Sequence, residues 1–309
     1  MNTWSKHLDD YLKLRRQLGY KLMRAESYLR QFLSYANHEG AGVLTTKLAL
    51  QWATQPKGVQ PNLWALRLGV VRQFAIYLSA VEPRTEVPPQ KLLPFPVRRR
   101  SPHLHGNEDV RKLMKAAEGI HSSKGLKGAT LSVLFGLLVA TGIRIGEALK
   151  LDREDVDLRQ GLLTIWHSKG NKSRFVPLHR STAKVLRQYA AMRDQLCPQP
   201  ESPAFFVFEE GRRLLRSSVH RWYMILSRQL GLRGPSERQG PRLHDFRHRF
   251  AIQTLLRWYR SKVDVETHLP ELATYLGHGH VHGTYWYLSS TPELLQLATR
   301  RLRQIKGVW

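Results

Sequence analysis

The 309-residue chain predicts a mainly α fold with a small antiparallel β-sheet, divided into two domains. Three observations carry that reading. Apolar residues recur at helical spacing through most of the length. Two short β-rich runs, 161–167 and 173–178, flank a polar tip, and residues 82–106 hold six prolines and no apolar period. The length also exceeds the ~100–200 residues typical of one domain.

The first domain spans residues 1–81 and reads as four helices. Trp4, Leu8, Tyr11, Leu12, Leu14 and Leu18 share a helical face that Gly19 terminates. Helices follow at about 24–38, 45–54 and 62–80, the last with Leu63, Leu66, Val70, Phe74 and Leu78 on one side. Residues 82–106, with the triplet Arg98, Arg99 and Arg100, form an extended basic linker.

The second domain spans 107–309. Asn107 is placed to cap a helix running to about Ala117. Ala129–Ala140 is apolar on nearly all sides, which marks a buried core helix, and Thr141-Gly142 breaks it. The two β-rich runs make a hairpin whose tip, Ser168-Lys169-Gly170-Asn171-Lys172, carries two lysines. Further helices are expected at about 181–196, 217–230, 244–259, 268–276 and 292–305. Pro292 suits a first helical turn, with Ser290 or Thr291 as the cap. Leu294, Leu295, Leu297, Leu302 and Ile305 give this last helix an apolar side that must dock, on its own domain or on a neighbouring protomer.

Composition narrows the function. The net charge is +25, with +7 up to residue 97 and +18 beyond it, so the excess is spread over both domains and a large anionic partner is expected. The single cysteine, Cys197, excludes an intrachain disulfide and a Cys-rich zinc site and fits a reducing compartment. The longest apolar run, Leu131–Ala140 with Ser132 inside it, is far short of the ~20 residues that cross a bilayer, and no secretory h-region opens the chain. A cytoplasmic protein with no membrane partner is the expectation.

Four stretches gather ionisable and hydroxyl groups beside turns. They are Thr141-Gly142-Ile143-Arg144-Ile145-Gly146-Glu147, the hairpin tip, His244-Asp245-Phe246-Arg247-His248, and the segment from Leu276 to Tyr287. The i, i+3, i+4 spacing puts His244, Arg247 and His248 on one helical face. His244 and His248, like the alternating His278, His280 and His282, raise a metal reading. The Glu that a zinc hydrolase helix places after its first His is absent, its place being Asp245. Phosphate chemistry fits better. A phosphodiester under attack gains negative charge on its non-bridging oxygens, which guanidinium groups meet bidentately, while Tyr and Lys supply a nucleophile and a proton donor without a metal.

Taken in order, TGIRIGEAL, SKGNKSRFVPL, LHDFRH, LGH and a tyrosine nine residues beyond that His resemble the tyrosine recombinase family of phage integrases and bacterial Xer recombinases. The motifs cover roughly 107–290. Two departures stand out: the stretch between Arg247 and His278 is longer than in compact members, and Gly279-His280-Val281-His282 follows LGH in place of a small polar residue and an acid.

The resemblance implies a C-shaped clamp made of a helical core-DNA-binding domain and a mixed α/β catalytic domain. It implies the catalytic residues Arg144, Lys169, His244, Arg247, His278 and Tyr287, with Glu147 orienting its neighbours. The family spacing favours Tyr287 over nearby Tyr285. Arg98, Arg99, Arg100, Lys172 and Arg174 are the expected DNA contacts.

No cofactor, no ATP and no required metal are implied. The implied partners are double-stranded DNA at specific core sites, further copies of the chain in a tetramer, and partner recombinases of the same mobile element. Two other classes share part of the pattern. A type IB topoisomerase uses the same cleavage chemistry as a monomer, and a DNA-binding protein without catalysis would keep only the charge. The helical N-terminal domain and the C-terminal helix favour the recombinase.

Overall fold

The computed structural model describes residues 3–95, 101–167, 172–234, 240–261, 263–289 and 291–306. It separates into two compact units, Met1–Arg100 and Ser101–Trp309. Among the described residues no helix is long and apolar enough to cross a membrane.

The first unit is four helices, α1 (Thr3–Gln17), α2 (Met23–His38), α3 (Thr46–Thr54) and α4 (Pro61–Leu78). Gly19, at φ +87°, lets the chain turn after α1. Thr45 caps α3 by accepting from the Leu48 N–H at 3.2 Å, and Pro61 opens α4 where its missing N–H costs nothing. Aromatic contacts knit the core, Tyr11 meeting Phe74 at 5.6 Å and Phe32 meeting Trp52 at 5.4 Å.

The buried stripe of α4 differs from the expected one. Leu68, Val71, Phe74, Ala75 and Leu78 face the core, whereas Leu66 lies exposed. Leu14 and Leu18 are exposed as well. In a helix rich in apolar residues the pattern permits more than one face, and the neighbouring helices choose.

Residues 82–93, expected to be linker, pack on this unit. The Glu86 N–H donates to Leu44 O at 2.8 Å, its carboxylate accepts from the Thr46 N–H at 2.7 Å, and Val87 and Leu93 rest on the core. Prolines hide these contacts from a periodicity reading, because an extended segment docks through isolated side chains.

The second unit begins with α5 (Asn107–Glu118), α6 (Leu126–Thr141) and the short α7 (Ile145–Ala148). Gly106 caps α5, not Asn107: its N–H is taken by the Asp109 carboxylate at 2.8 Å, and Asn107 is the first helical residue. Helix α6 is buried over most of its surface, with Ala129, Val133, Gly136 and Ala140 marking a less buried face. At Gly128 a Cβ would stand 2.7 Å from Ala117 O, so glycine is what lets α6 press against α5.

A three-stranded antiparallel sheet follows, β1 (Val156–Asp157), β2 (Leu162–Ile165) and β3 (Arg174–Pro177) in spatial order 1-2-3, with Leu163 opposite both Val156 and Val176. The two-residue β1 is too short to leave a sequence pattern.

Helices α8 (Arg180–Leu196), α9 (Arg216–Gln229), α10 (Asp245–Arg260) and α11 (Val265–Leu276) come next. The last elements are the four-residue α12 (His282–Tyr285), a 3₁₀ turn (Trp286–Ser289) and α13 (Pro292–Lys306). Helix α11 starts three residues before the expected 268 because Asp264 caps it, accepting from the Glu266 N–H and the Thr267 hydroxyl. Thr291 caps α13, its Oγ1 accepting from the Leu294 N–H at 3.2 Å. Leu294 is fully buried in a core shared with α10 and α11, and Arg260 pairs with Glu293 at 2.6 Å. The first turns of α13 therefore dock on their own unit.

Candidate active site

Helix ends build the site. Helix α6 stops at Gly142, in the left-handed conformation at φ +63°, and α11 stops at Gly277, at φ +67°. A Cβ would stand 2.6 Å from Phe250 at the first and 2.8 Å from the Arg174 guanidinium at the second, so both positions demand glycine. Carbonyl groups at a helix C-terminus lack intrahelical partners and carry the negative end of the dipole, which favours cations beside them.

Arginines occupy those positions. Arg247, on the first turn of α10 and almost wholly buried, donates to Gly142 O at 3.1 Å and to Leu276 O. Arg144 donates to Gly277 O at 2.9 Å. The same residue caps α7, and Glu147 three positions on accepts from its backbone N–H at 2.9 Å and its guanidinium at 2.7 Å. Arg174, on β3, donates to the Glu147 carboxylate at 2.8 and 3.2 Å and to Tyr275 O at 2.7 Å. Arg144 and Arg174 thus share the Glu147 carboxylate beside Arg247, which feels the charge of all three, and Asp245 is engaged by Arg242 at 2.9 Å. Burial, and then the charge of Arg144, pull Arg247 down to about 10.

Aromatic groups close the other side. Tyr287 is 2% exposed; its ring stacks on His278 at 6.1 Å and meets His248 at 5.5 Å. Burial raises its hydroxyl pKa above the usual 10, while the charge and hydrogen bonding of Arg247, then the charge of Arg144, pull it back. Tyr285, 49% exposed, has no such setting.

His244, at the N-terminus of α10, lies edge-to-face with His248 at 4.7 Å. His278 Nδ1 is 2.7 Å from Thr284 Oγ1, and Thr284 is fully buried. Burial first, and cationic neighbours with it, push His244, His248 and His278 down to about 4, so all three are neutral near pH 7. A Thr284 hydroxyl that donates to Nδ1 would place the His278 proton on Nε2.

Of the residues expected from sequence, the structure brings together Arg144, Glu147, His244, Arg247, His278 and Tyr287. Lys169 lies outside the described residues, as do Arg98, Arg99 and Arg100. Lys172 is exposed beside the hairpin tip. Arg174, expected as a DNA contact, is nearly buried on Glu147, because β3 runs against the end of α11 and holds the side chain there. His280 and His282 are exposed.

Residues 106–293 match the sequence profile of the phage integrase family. The chain belongs to that family, the tyrosine recombinases. It is 46% identical over 308 residues to a putative integrase/recombinase, y4rB, of Sinorhizobium fredii, covering 98% of each chain. The fold is similar to that of the Tn1549 transposon integrase in complex with circular intermediate DNA, at a TM-score of 0.65, 13% identity, and 96% of this chain and 99% of that one. It is also similar to XerH site-specific recombinase bound to palindromic difH substrate in a post-cleavage complex, at a TM-score of 0.63, 21% identity, and 89% and 77% of the two chains.

Sequence reasoning about this recombinase missed two things. His248 was visible on the Arg247 face without a role, and the structure sets it against Trp286 and Tyr287. The carbonyl cradle was also missed; its trace in sequence is the pair of glycines that end α6 and α11.

Proposed function

We propose that the chain is a site-specific DNA recombinase acting through Tyr287. The observation that carries this reading is a buried phenol set beside the guanidinium groups of Arg247 and Arg144, the latter sharing the Glu147 carboxylate with Arg174. Such a place is unfavourable for the protein alone and becomes favourable when an anion enters.

The Tyr287 oxygen attacks the scissile phosphorus. An O–P bond forms to give a 3′-phosphotyrosyl link, and the bond to the 5′-oxygen breaks to leave a free 5′-hydroxyl. Arg144 and Arg247 hold the non-bridging oxygens, and His278 donates from Nε2. Lys169 gives its proton to the leaving 5′-oxygen, and His244 takes the proton of Tyr287. His244, held neutral by burial, gains proton affinity when the phosphate brings negative charge beside it. Glu147 fixes Arg144 and Arg174 in place. The reverse sequence with a new 5′-hydroxyl rejoins the strand, and the bond energy is kept throughout.

Four protomers on two core sites exchange one strand pair at a time through a Holliday junction, alone or with partner recombinases of the same mobile element. Residues 1–81 grip the core DNA, the basic segment with Arg98, Arg99 and Arg100 crosses the duplex, Lys172 contacts the backbone, and 107–309 carry the chemistry. The protein works in the cytoplasm on nucleoid DNA. Counterion release then makes binding steeply salt dependent, by ~10³–10⁵ in affinity between 50 and 200 mM for ~6–10 phosphate contacts.

The test uses nicked duplexes carrying candidate sites from the chain's own element. Wild type and Tyr285→Phe are expected to give a covalent adduct on a denaturing gel, and Tyr287→Phe none. An adduct that persists in Tyr287→Phe overturns the assignment. Relaxation of arbitrary supercoiled plasmid without recombinants would point to a topoisomerase.

A further inference from the structure

The opening residues of the second unit hold a cluster that the recombination chemistry does not use. Residues 101–106 have no regular structure, and within them His103 and His105 sit two positions apart. His105 is 3% exposed, packed on Phe246 with ring centroids 5.0 Å apart. Its Nε2 lies 3.0 Å from the Tyr223 hydroxyl, and its Nδ1 is buried without a hydrogen-bond partner. His103 meets it edge-to-face at 4.7 Å, and His103 Nε2 is likewise buried and unpartnered. Asp109, in the first turn of α5, completes the group: one ligand atom from each of the three residues lies within 4.8 Å of the others.

Two unpartnered ring nitrogens beside a carboxylate are rare in a folded protein, because a buried polar atom without a partner is costly. We infer that His103, His105 and Asp109 bind a divalent transition metal ion of the zinc class. Imidazole and carboxylate together suit such an ion and disfavour Mg²⁺ or Ca²⁺, which prefer all-oxygen sites. The bond from His105 Nε2 to Tyr223 orients the ring and leaves Nδ1 for the metal, the arrangement that ligating histidines usually show. Bonds of about 2.0–2.2 Å in tetrahedral geometry set donors ~3.3 Å apart, so the three side chains close in by roughly 1.5 Å, and water fills the fourth position.

The metal would pin the segment that leads out of the connecting residues onto α5. His105 also stands on Phe246, the neighbour of Arg247, and the Arg249 guanidinium donates to His105 O at 2.9 Å. The role is structural and needs no DNA, so its test is separate from that of the recombinase reading.

The experiment uses the full chain, freed of nucleic acid at high salt and treated with chelator. Calorimetric titration with Zn²⁺ is expected to show one equivalent bound, with a rise in Tm. Co²⁺ is expected to show the visible absorption of a protein-bound, low-coordinate ion. His103→Gln and Asp109→Asn, which keep size and polarity on half-buried positions, are each expected to weaken binding by about 100-fold and to abolish the Tm rise. The double variant His280→Gln/His282→Gln removes exposed competing imidazoles and is expected to bind as wild type does. Absence of saturable binding, or binding that His103→Gln and Asp109→Asn leave unchanged, overturns the inference.

Discussion

Arg67 in the first unit and Arg247 in the second are both buried arginines held by the carbonyl of a helix end. Arg67 donates to Trp52 O at 2.8 Å and lies 3.8 Å over the Trp52 ring, with the Tyr28 ring at 5.9 Å. Its neighbours are neutral aromatic faces that attract a cation. Arg247 donates to Gly142 O and Leu276 O, yet stands beside Arg144, whose charge works against its own. The same hydrogen-bonding device therefore serves opposite ends. Arg67 is held among neutral aromatic faces, with its Nε buried and unpartnered, while Arg247 stands in a repulsion from Arg144 that, on the proposed reading, an incoming phosphate would relieve.

Lysine replacements separate the two with the largest expected effect. Arg247→Lys keeps the charge and loses the planar fork, so strand cleavage should fall by about 10²–10³ with little change in the salt slope of DNA binding. Arg67→Lys should leave cleavage of bound DNA intact and lower stability by roughly 0.5–2 kcal/mol, the worth of a cation–π contact. Equal loss of cleavage in both variants would erase the contrast.

Acid sharpens it next. His244, His248 and His278, ordinarily near 6.5, are held at about 4 in the folded site. Below 6.5 the unfolded chain takes up these protons and the folded chain does not, so folding stability should fall as pH drops from 6.5 towards 4 and stay level above 6.5. Thermal melts across that range read the effect. His248→Gln should flatten part of the slope, and a slope that this variant leaves unchanged would remove His248 from the effect.

The smallest effect belongs to the surface. Lys172→Ala should lower the slope of log affinity against log salt by about 0.9 and leave cleavage at saturating DNA unaltered. A cleavage defect at saturation would move Lys172 from the binding surface into the chemistry.

Much of this was legible in one sequence because it is local. Arg144 with Glu147 is a capping pair three residues apart, and His244, Arg247 and His248 share a face by helical spacing. Tyr287 was reached by its distance from His278. The helices were legible from apolar period, though α4 turned a different stripe inward, since the choice of face belongs to the neighbours. The strand β1 was too short to see. The group of His103, His105 and Asp109 was invisible because an extended, proline-rich segment has no period against which a contact stands out.

By itself, then, the sequence determined the helical character, the hairpin, the order of the motifs and the family they belong to, all of which rest on residues near one another in the chain. Tertiary structure decided which groups meet. Arg144 finds Gly277 across 133 residues, Arg174 finds Tyr275 across 101, and Arg247 finds Gly142 across 105. It also buries Tyr287 and leaves Tyr285 exposed. The physical reason is the same in each case: a guanidinium takes the carbonyl that packing brings to it, and packing is settled by the whole core.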